Sequence, residues 1–332
     1  MSDFVWLRGE QQPLAGVRII TEGAHQLALE RAGKLTAVPA RDVSALRHGD
    51  TPGELDHALQ RMERGDFPAA ERLLTPLEQR GGWLRAHAGF HRANARRLRA
   101  ELEGTGHDEA LGLLVAWRER EGEHGLAPCA AVATGDAALV AGRHELARAE
   151  FARLAGYGEH LALASRLGLA RVQLASSQDP APAIEELEAI ENDALGPGEL
   201  ETILLARITR AAALGSHGAA NDGLDLLLPL LDTPGMVRSC WHGAALNTIA
   251  TLVADLAGRA PDGSAQPHAR MAASYFVNRA LRYTSTQPLE RARTLALAVE
   301  ANGLAGRADI ALMARTELGR RFPTSKYWAR VR

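Results

Sequence analysis

The chain has 332 residues, of which 46% are apolar and 23% charged, and its formal net charge is −2. These values are typical of an ordinary folded protein and argue against a disordered chain or a strongly basic nucleic-acid-binding domain. No apolar run approaches the roughly 20 residues of a membrane helix, and the opening MSDFVWLRGE lacks the basic and apolar regions of a signal peptide. We therefore expect a cytoplasmic protein with no membrane span and disfavour nucleic acid as its partner.

The usage of lysine and cysteine adds two expectations. Lys34 and Lys326 are the only lysines, and such a bias towards arginine favours a GC-rich bacterial source. The two cysteines, Cys129 and Cys240, are far apart and form neither a disulfide framework nor a zinc motif. We expect both to be small buried side chains.

Residues 1–50 predict a small β-domain. The segments DFVWL, GVRIITE, HQLALER and KLTAVPA are short and apolar or alternating, glycines separate them, and ARDVSALRHG is typical of a closing strand or turn. Antiparallel strands at this spacing favour either a curled sheet or a small barrel, similar to SH3-like and Sm-like barrels. The residues expected to fill its core are Val5, Leu7, Val17, Ile19, Leu27, Leu29, Leu35 and Val38.

From residue 51 to residue 332 the apolar period becomes helical, and one pattern recurs. GRHELARAEFARLAG (residues 142–156) repeats the layout of GDFPAAERLLTPLEQ (residues 65–79), in which a glycine is followed by a small and then a large apolar residue. Breaks recur every 36 to 45 residues, near Gly65, Gly106, Gly142, Gln178, Gly218, Gly263 and Gly306. Such self-similarity predicts about seven stacked helical hairpins, because a single hairpin cannot bury its apolar face alone.

These repeats resemble the tetratricopeptide repeat family. The resemblance is carried by ATGDAALVAGRHELARAEFARL (residues 133–154), ALQRMERGDFPAAERLL (residues 58–74) and ALNTIATLVADLAG (residues 245–258), with Gly135 as the family's small residue. It implies a mainly α, right-handed helical-hairpin solenoid that follows the small antiparallel β-domain. It also implies a groove that binds a protein or peptide segment.

Transferring the family's groove-facing positions to this chain gives a set of candidate binding residues. We expect a peptide to contact Val132, Asp136, Leu139, Arg171, Asn247, Thr251, Asp255 and Glu300. Asn247 is the most suggestive of these, since an amide side chain can both donate to and accept from a peptide bond. The β-domain would cap the solenoid or bind a second partner, and self-association into a larger assembly is the alternative function.

The motifs of metalloenzymes and phosphate-binding proteins are weak. His87 and His91 stand at i, i+4, with His57 or His107 as a conceivable third ligand, but Ala88 occupies the place of a zincin's glutamate. We favour two partly exposed histidines on a helix of the solenoid and expect no metal or cofactor.

The arginines of HRANARRLRAELE favour a face of ion pairs over a phosphate-binding stripe, because glutamates follow directly and no aromatic residues are interleaved. No nucleophile elbow, phosphate loop or dinucleotide fingerprint is present in the sequence, so we expect no enzymatic activity.

Overall fold

The strands begin almost where the sequence places them. The computed structural model describes residues 2–7, 10, 12–193, 200–232, 239, 241–259 and 266–332. The five strands are β1 (Asp3–Leu7), β2 (Leu14–Glu22), β3 (Gln26–Arg31), β4 (Lys34–Pro39) and β5 (Val43–Arg47). They form one antiparallel sheet in the order β4-β3-β2-β1-β5, so β4 and β5 are the edge strands of the described pairings.

The sheet encloses a small apolar core on one face. Val5, Val17, Leu27 and Leu29 are buried there, and Leu7, Ile19 and Val38 pack against them. The prediction for Leu35 was wrong: its side chain is 68% exposed. Leu35 pairs with Glu30 in the β3–β4 register, whereas the core residues Leu27 and Leu29 lie opposite Val38 and Thr36, so Leu35 points to the face away from the core.

The helices also follow the predicted pattern. They are α1 (Gly53–Glu63), α2 (Phe67–Glu78), α3 (Gly82–Glu103), α4 (His107–Glu121), α5 (Ala127–Val140), α6 (His144–Arg153), α7 (Ala162–Ser176), α8 (Ala181–Asp193), α9 (Leu200–Ser216), α10 (Ala220–Leu227), α11 (His242–Arg259), α12 (Gln266–Ala280), α13 (Pro288–Leu304), α14 (Ala308–Arg321) and α15 (Lys326–Val331). Among the described residues no helix combines the length and the apolarity that crossing a membrane requires.

The predicted breaks coincide with turns between helices. Six of the seven separate consecutive helices, and the seventh, at Gly263, lies outside the described residues. Gly142 and Gly306 show why glycine is used, because each has a positive φ, +69° and +74°, that other residues rarely adopt. The mainly helical, tetratricopeptide-like fold class with a small N-terminal β-sheet is thereby confirmed.

The alternation of small and large residues creates the close contacts between helices. The ring of Phe151 on α6 lies against Gly135 on α5 and Gly168 on α7. A Cβ at Gly135 would lie 2.7 Å from that ring, and one at Gly168 would lie 2.3 Å from it. Both distances are shorter than van der Waals contact, so the packing of this hairpin requires glycine at both positions.

The chain divides into two compact units. The first comprises Met1–Met62, Asp66–Ala100 and Thr105–Leu169, and the second comprises Glu63–Gly65, Glu101–Gly104 and Ala170–Arg332. The strands therefore share a unit with the helices that follow them. The domain boundary predicted at residue 50 coincides with the change from strand to helix.

The contact at Phe151 leads to a stability prediction. Gly168→Ala should lower the free energy of unfolding by about 1–3 kcal/mol, because the added methyl group overpacks the ring. The control is Gly112→Ala on α4, where a Cβ meets nothing within 4 Å. That change should be neutral or should stabilise by up to about 1 kcal/mol through helix propensity. Urea unfolding followed by circular dichroism measures both, and equal effects would contradict the packing argument.

Candidate functional site

The end of strand β2 is joined to the turn between α4 and α5 by backbone hydrogen bonds. The N–H of Gly125 donates to the carbonyl of Glu22 at 2.9 Å, and the N–H of Ala24 donates to the carbonyl of Glu123 at 2.8 Å. Gly23 and His124 form an antiparallel bridge between these bonds. The pairing places the side chains of Glu22 and His124 beside each other, although they are far apart in sequence.

The carboxylate of Glu22 is the centre of a histidine cluster. Its side chain is only 4% exposed. Oε1 accepts a hydrogen bond from Nε2 of His48, and Oε2 accepts one from Nε2 of His87 at 2.9 Å. Nε2 of His124 lies 3.6 Å from the same Oε2. Residues from β2, from the end of β5, from α3 and from the α4–α5 turn therefore converge on one carboxylate.

Neighbouring groups hold His48 in place. Its ring is stacked on Trp83, with centroids 3.9 Å apart and planes inclined by 10°. The following residue, Gly49, donates its N–H to Oδ1 of the buried Asp3 at 2.7 Å. Oδ2 of Asp3 accepts the N–H of Ile19 at 2.6 Å, so one carboxylate connects β1, β2 and the segment after β5.

Helix α3 contributes the indole ring of Trp83 and the imidazole of His87 to the cluster. Trp83 and His87 are one turn apart, and their rings meet edge to face at 5.5 Å. The buried Trp117 donates its indole N–H to the carbonyl of Ala86 at 2.8 Å, which connects α4 to the same turn of α3. These contacts restrain the position of His87.

The electrostatics of the cluster favour an ionised Glu22. Burial alone would raise its pKa, but the hydrogen bonds from His48 and His87 and the electrostatic interaction with those two residues bring the pKa to about 2. Burial lowers the pKa of His124 despite the nearby carboxylate. The cluster therefore combines a carboxylate with a histidine that stays neutral.

One atom of the cluster has no hydrogen-bond partner. Nδ1 of His124 accepts the N–H of Leu126 at 3.1 Å, so the ring proton of the neutral histidine is on Nε2. Nε2 is buried and makes no hydrogen bond with any described group. A buried polar atom without a partner is rare and marks a place where a further group can bind.

An open pocket of about 670 Å³ adjoins the cluster. Its apolar walls include Trp6, Leu55, Leu59, Trp83 and Leu126, while Glu22 and His87 supply polar groups. Five consecutive residues of β5, from Val43 to Arg47, also line it. Because successive side chains of a strand point to opposite faces, a lining by consecutive residues indicates that the edge of β5 borders the pocket.

The pair of histidines singled out in the sequence is not the pair that the fold assembles. The rings of His87 and His91 are 6.3 Å apart, and burial, followed by the charge of His87, lowers the pKa of His91 to about 4. His57 is exposed on α1. His87 instead meets Glu22 and His124, which no spacing in the sequence connects to it. His87 and His91 are both partly exposed, as expected, but the side chain of His87 is only 13% exposed and is hydrogen-bonded to a buried carboxylate, which the sequence did not indicate.

Two further expectations concern cysteine and arginine. Cys129 is exposed and lines the pocket, so its predicted burial was wrong, and Cys240 lies outside the described residues. Arg92 pairs with Glu78 at 2.7 Å, and Arg96 pairs with Glu71 and Glu109. These arginines form the ion-paired face that the sequence favoured.

The candidate binding residues on the helices lie in varied surroundings. Asp136 on α5 and Arg171 on α7 are half-buried, and Val132 is 38% exposed. On α11, Asp255 is exposed and Thr251 donates its hydroxyl to the carbonyl of Asn247 at 2.9 Å. Leu139 on α5 and Glu300 on α13 are half-buried. The carboxylate of Glu300 forms an ion pair with Arg330. Their predicted contact with a peptide stays a prediction.

Asn247 has a structural environment that its sequence position did not suggest. It is fully buried, and its Nδ2 donates to Oε1 of Glu290 at 2.6 Å and to Oγ1 of Thr294 at 2.7 Å. Its Oδ1 has no hydrogen-bond partner among the described groups. The side chain therefore connects α11 to α13 within the second unit, and substituting it changes the packing of these helices.

Comparisons with known proteins give similarity to solved structures but no match of sequence. No protein-family model and no curated protein matches the sequence. Among solved structures, the chain is similar to the apo form of the quorum sensor NprR from B. thuringiensis, with 12% sequence identity and a TM-score of 0.48. The similarity covers 84% of this chain and 83% of that one. At this identity and score it bears on neither ligand nor site.

The burial of Asn247 leads to a prediction that separates stability from binding. Asn247→Ala should lower the free energy of unfolding by about 1–3 kcal/mol, because Glu290 and Thr294 lose a buried donor. Asp255→Ala, on the exposed part of the same helix, should change it by less than about 0.5 kcal/mol. Chemical unfolding of the two variants beside the wild type checks this. A neutral Asn247→Ala variant would contradict the structural role.

Proposed function

We propose that this protein is a non-enzymatic adaptor that binds an extended segment of another protein in the pocket beside β5. The observation that carries the proposal is the pocket itself. Its volume lies within the usual range of ligand sites, about 300–1,000 Å³, and its lining is mainly apolar with a few convergent polar groups. Trp6 and Trp83 are residues of the type that dominates binding energy at interfaces.

An extended peptide suits the edge of β5. In the described sheet β5 pairs with β1 and forms the other edge, which leaves its second row of backbone groups without a strand. A peptide that adds as a further strand satisfies those N–H and C=O groups, while alternate side chains of the peptide enter an adjacent pocket. The apolar wall formed by Leu55, Leu59 and Trp83 favours a large apolar side chain at such a position.

The residues predicted on the helices remain a second location for the same function. Asp136, Arg171, Thr251, Asp255 and Glu300 supply polar groups of the kind that bind a peptide backbone, whereas the buried Asn247 uses its amide N–H groups on Glu290 and Thr294. Self-association is the alternative class of function, and light scattering over a range of protein concentrations distinguishes it. A cytoplasmic location, a bacterial source and the lack of catalysis belong to this proposal as expectations of the sequence.

Selection from a displayed library of random peptides tests the pocket. We expect wild-type protein to select peptides with a large apolar residue, and Leu59→Arg to weaken their binding at least about tenfold, because a charge enters the apolar wall. The matched control is Leu35→Arg, at an exposed leucine on the opposite edge strand, which should bind as the wild type does. Fluorescence polarisation of a labelled selected peptide measures the affinities.

Two further experiments locate the bound peptide. Methylating alternate backbone nitrogens of the selected peptide should abolish binding if the peptide adds as a strand, because its N–H donors are removed.

Two variants of the protein, Asp255→Ala and Arg171→Ala, test the helical location. Loss of binding in these two variants, with Leu59→Arg unaffected, would move the site from the pocket to the helices and overturn the proposal.

A further inference from the structure

We propose that Glu22, His87 and His124 form a binding site for a divalent transition-metal ion, and that Zn²⁺ is the ion that fits. The proposal goes beyond peptide binding and does not depend on it. The three residues each offer one ligand atom, and these atoms all lie within 4.8 Å of one another. All three belong to the first compact unit.

The distances suit a tetrahedral ion. Zinc bonds to oxygen and nitrogen of about 2.0–2.1 Å require ligand atoms about 3.3 Å apart in tetrahedral geometry. Oε2 of Glu22 lies 2.9 Å from Nε2 of His87 and 3.6 Å from Nε2 of His124. Both separations are within a few tenths of an ångström of that value, so small side-chain adjustments place the donors around one ion.

The donor types select the class of ion. Two imidazole nitrogens and one carboxylate oxygen suit zinc and its neighbours among the transition metals, whereas Mg²⁺ and Ca²⁺ prefer ligand sets made of oxygens. Zinc sites with three protein ligands of this kind keep a fourth position open for water or another group. Glu22 and His87 line the pocket, so the open position faces it.

An outer shell orients the carboxylate. His48 occupies Oε1 of Glu22 and leaves Oε2 towards His87 and His124. The stacking of His48 on Trp83 fixes that arrangement. Ligand carboxylates in metal sites are commonly held by such hydrogen bonds, which prevent the group from turning away when the site is empty.

Hydrogen bonds among the side chains do not satisfy every polar atom of the cluster. The N–H groups of His48 and His87 bond to Glu22, whereas the buried Nε2 of His124 lies 3.6 Å from Oε2 and makes no hydrogen bond with the described residues. A metal ion replaces the proton on this nitrogen and also the proton on Nε2 of His87, and each displaced proton moves to Nδ1 of its ring or, from a protonated ring, is released to solvent. On His124 the proton can occupy Nδ1 only if the N–H of Leu126 turns away, so loading should displace the backbone at Leu126.

Titration of metal-free protein with Zn²⁺ alone tests the site. After treatment with a chelator, isothermal calorimetry should show one Zn²⁺ bound per chain, and elemental analysis of the dialysed complex should give the same ratio. Co²⁺ should produce the visible absorption of a four-coordinate ion with nitrogen and oxygen ligands. The amide resonance of Leu126 should shift when Zn²⁺ is added. If His124 had only a structural role, adding Zn²⁺ would leave that resonance unchanged.

Variants assign the ligands. Glu22→Gln and His124→Ala should each weaken Zn²⁺ binding at least about 100-fold, and His48→Ala, which removes an outer-shell contact, about 10-fold to 100-fold. His57→Ala and His91→Ala are the controls, since both were candidates by sequence and neither belongs to the cluster. Their affinities should stay within about threefold of the wild type.

Each outcome decides the question. Circular dichroism establishes that the variants are folded, and His124→Ala is the informative one if Glu22→Gln is not, because it leaves the bonds of Glu22 to His48 and His87 in place. Stoichiometric binding that requires His124 supports the site. Absence of Zn²⁺ and Co²⁺ binding by the wild type, or binding lost in His91→Ala but kept in His124→Ala, overturns it. Peptide selection is a separate measurement, so either proposal can fail alone.

Discussion

The arrangement of the first unit depends on the burial of one carboxylate. A charged group removed from water is strongly unfavourable unless hydrogen bonds and opposite charges compensate it. Glu22 is 4% exposed and meets His48 and His87 through its two oxygens. The sheet and the helices of this unit must therefore keep their relative positions, because moving α3 or the end of β5 leaves the carboxylate without donors.

Backbone pairing supports the same constraint from another direction. The two hydrogen bonds between the end of β2 and the α4–α5 turn act as a short additional strand pair. They place His124 beside Glu22 independently of any side-chain attraction. The cluster is thus assembled by a fixed backbone, which is the condition for a site whose geometry exists before a ligand arrives. The wall of the pocket that Trp83 and His87 form is held in position by the same contacts.

Much of the fold follows from local sequence patterns. The predictions failed where contacts between elements that are distant in sequence determine the surroundings of a residue. The strands, the glycine turns and the contact of Gly135 with Phe151 follow from alternation, from positive φ and from the spacing of small and large residues. Leu35 is apolar, but the register of β3 and β4 places it opposite Glu30, on the face away from the core. Asn247 has the position of a groove residue, but its amide is buried against α13.

The candidate site was beyond the sequence for the same reason. His87 precedes His124 by a whole helix, and Glu22 ends a strand that no motif connects to either. The i, i+4 pair of His87 and His91 drew attention to the right helix and to one right residue, because helical spacing is visible in a sequence while strand-to-turn pairing is not.

The two proposals make the chemistry of the pocket depend on the ion. Without it, the pocket presents a carboxylate whose oxygens are already occupied by His48 and His87, so a partner gains affinity mainly from the apolar wall. With a divalent ion bound, the same position carries a positive charge and an open coordination site. A carboxylate or other anionic donor on the partner then becomes the favoured contact, since the ion outweighs the single negative charge of Glu22. If both proposals hold, peptides selected by the metal-free and by the metal-loaded protein should therefore differ in whether they carry an anionic donor beside the apolar residue.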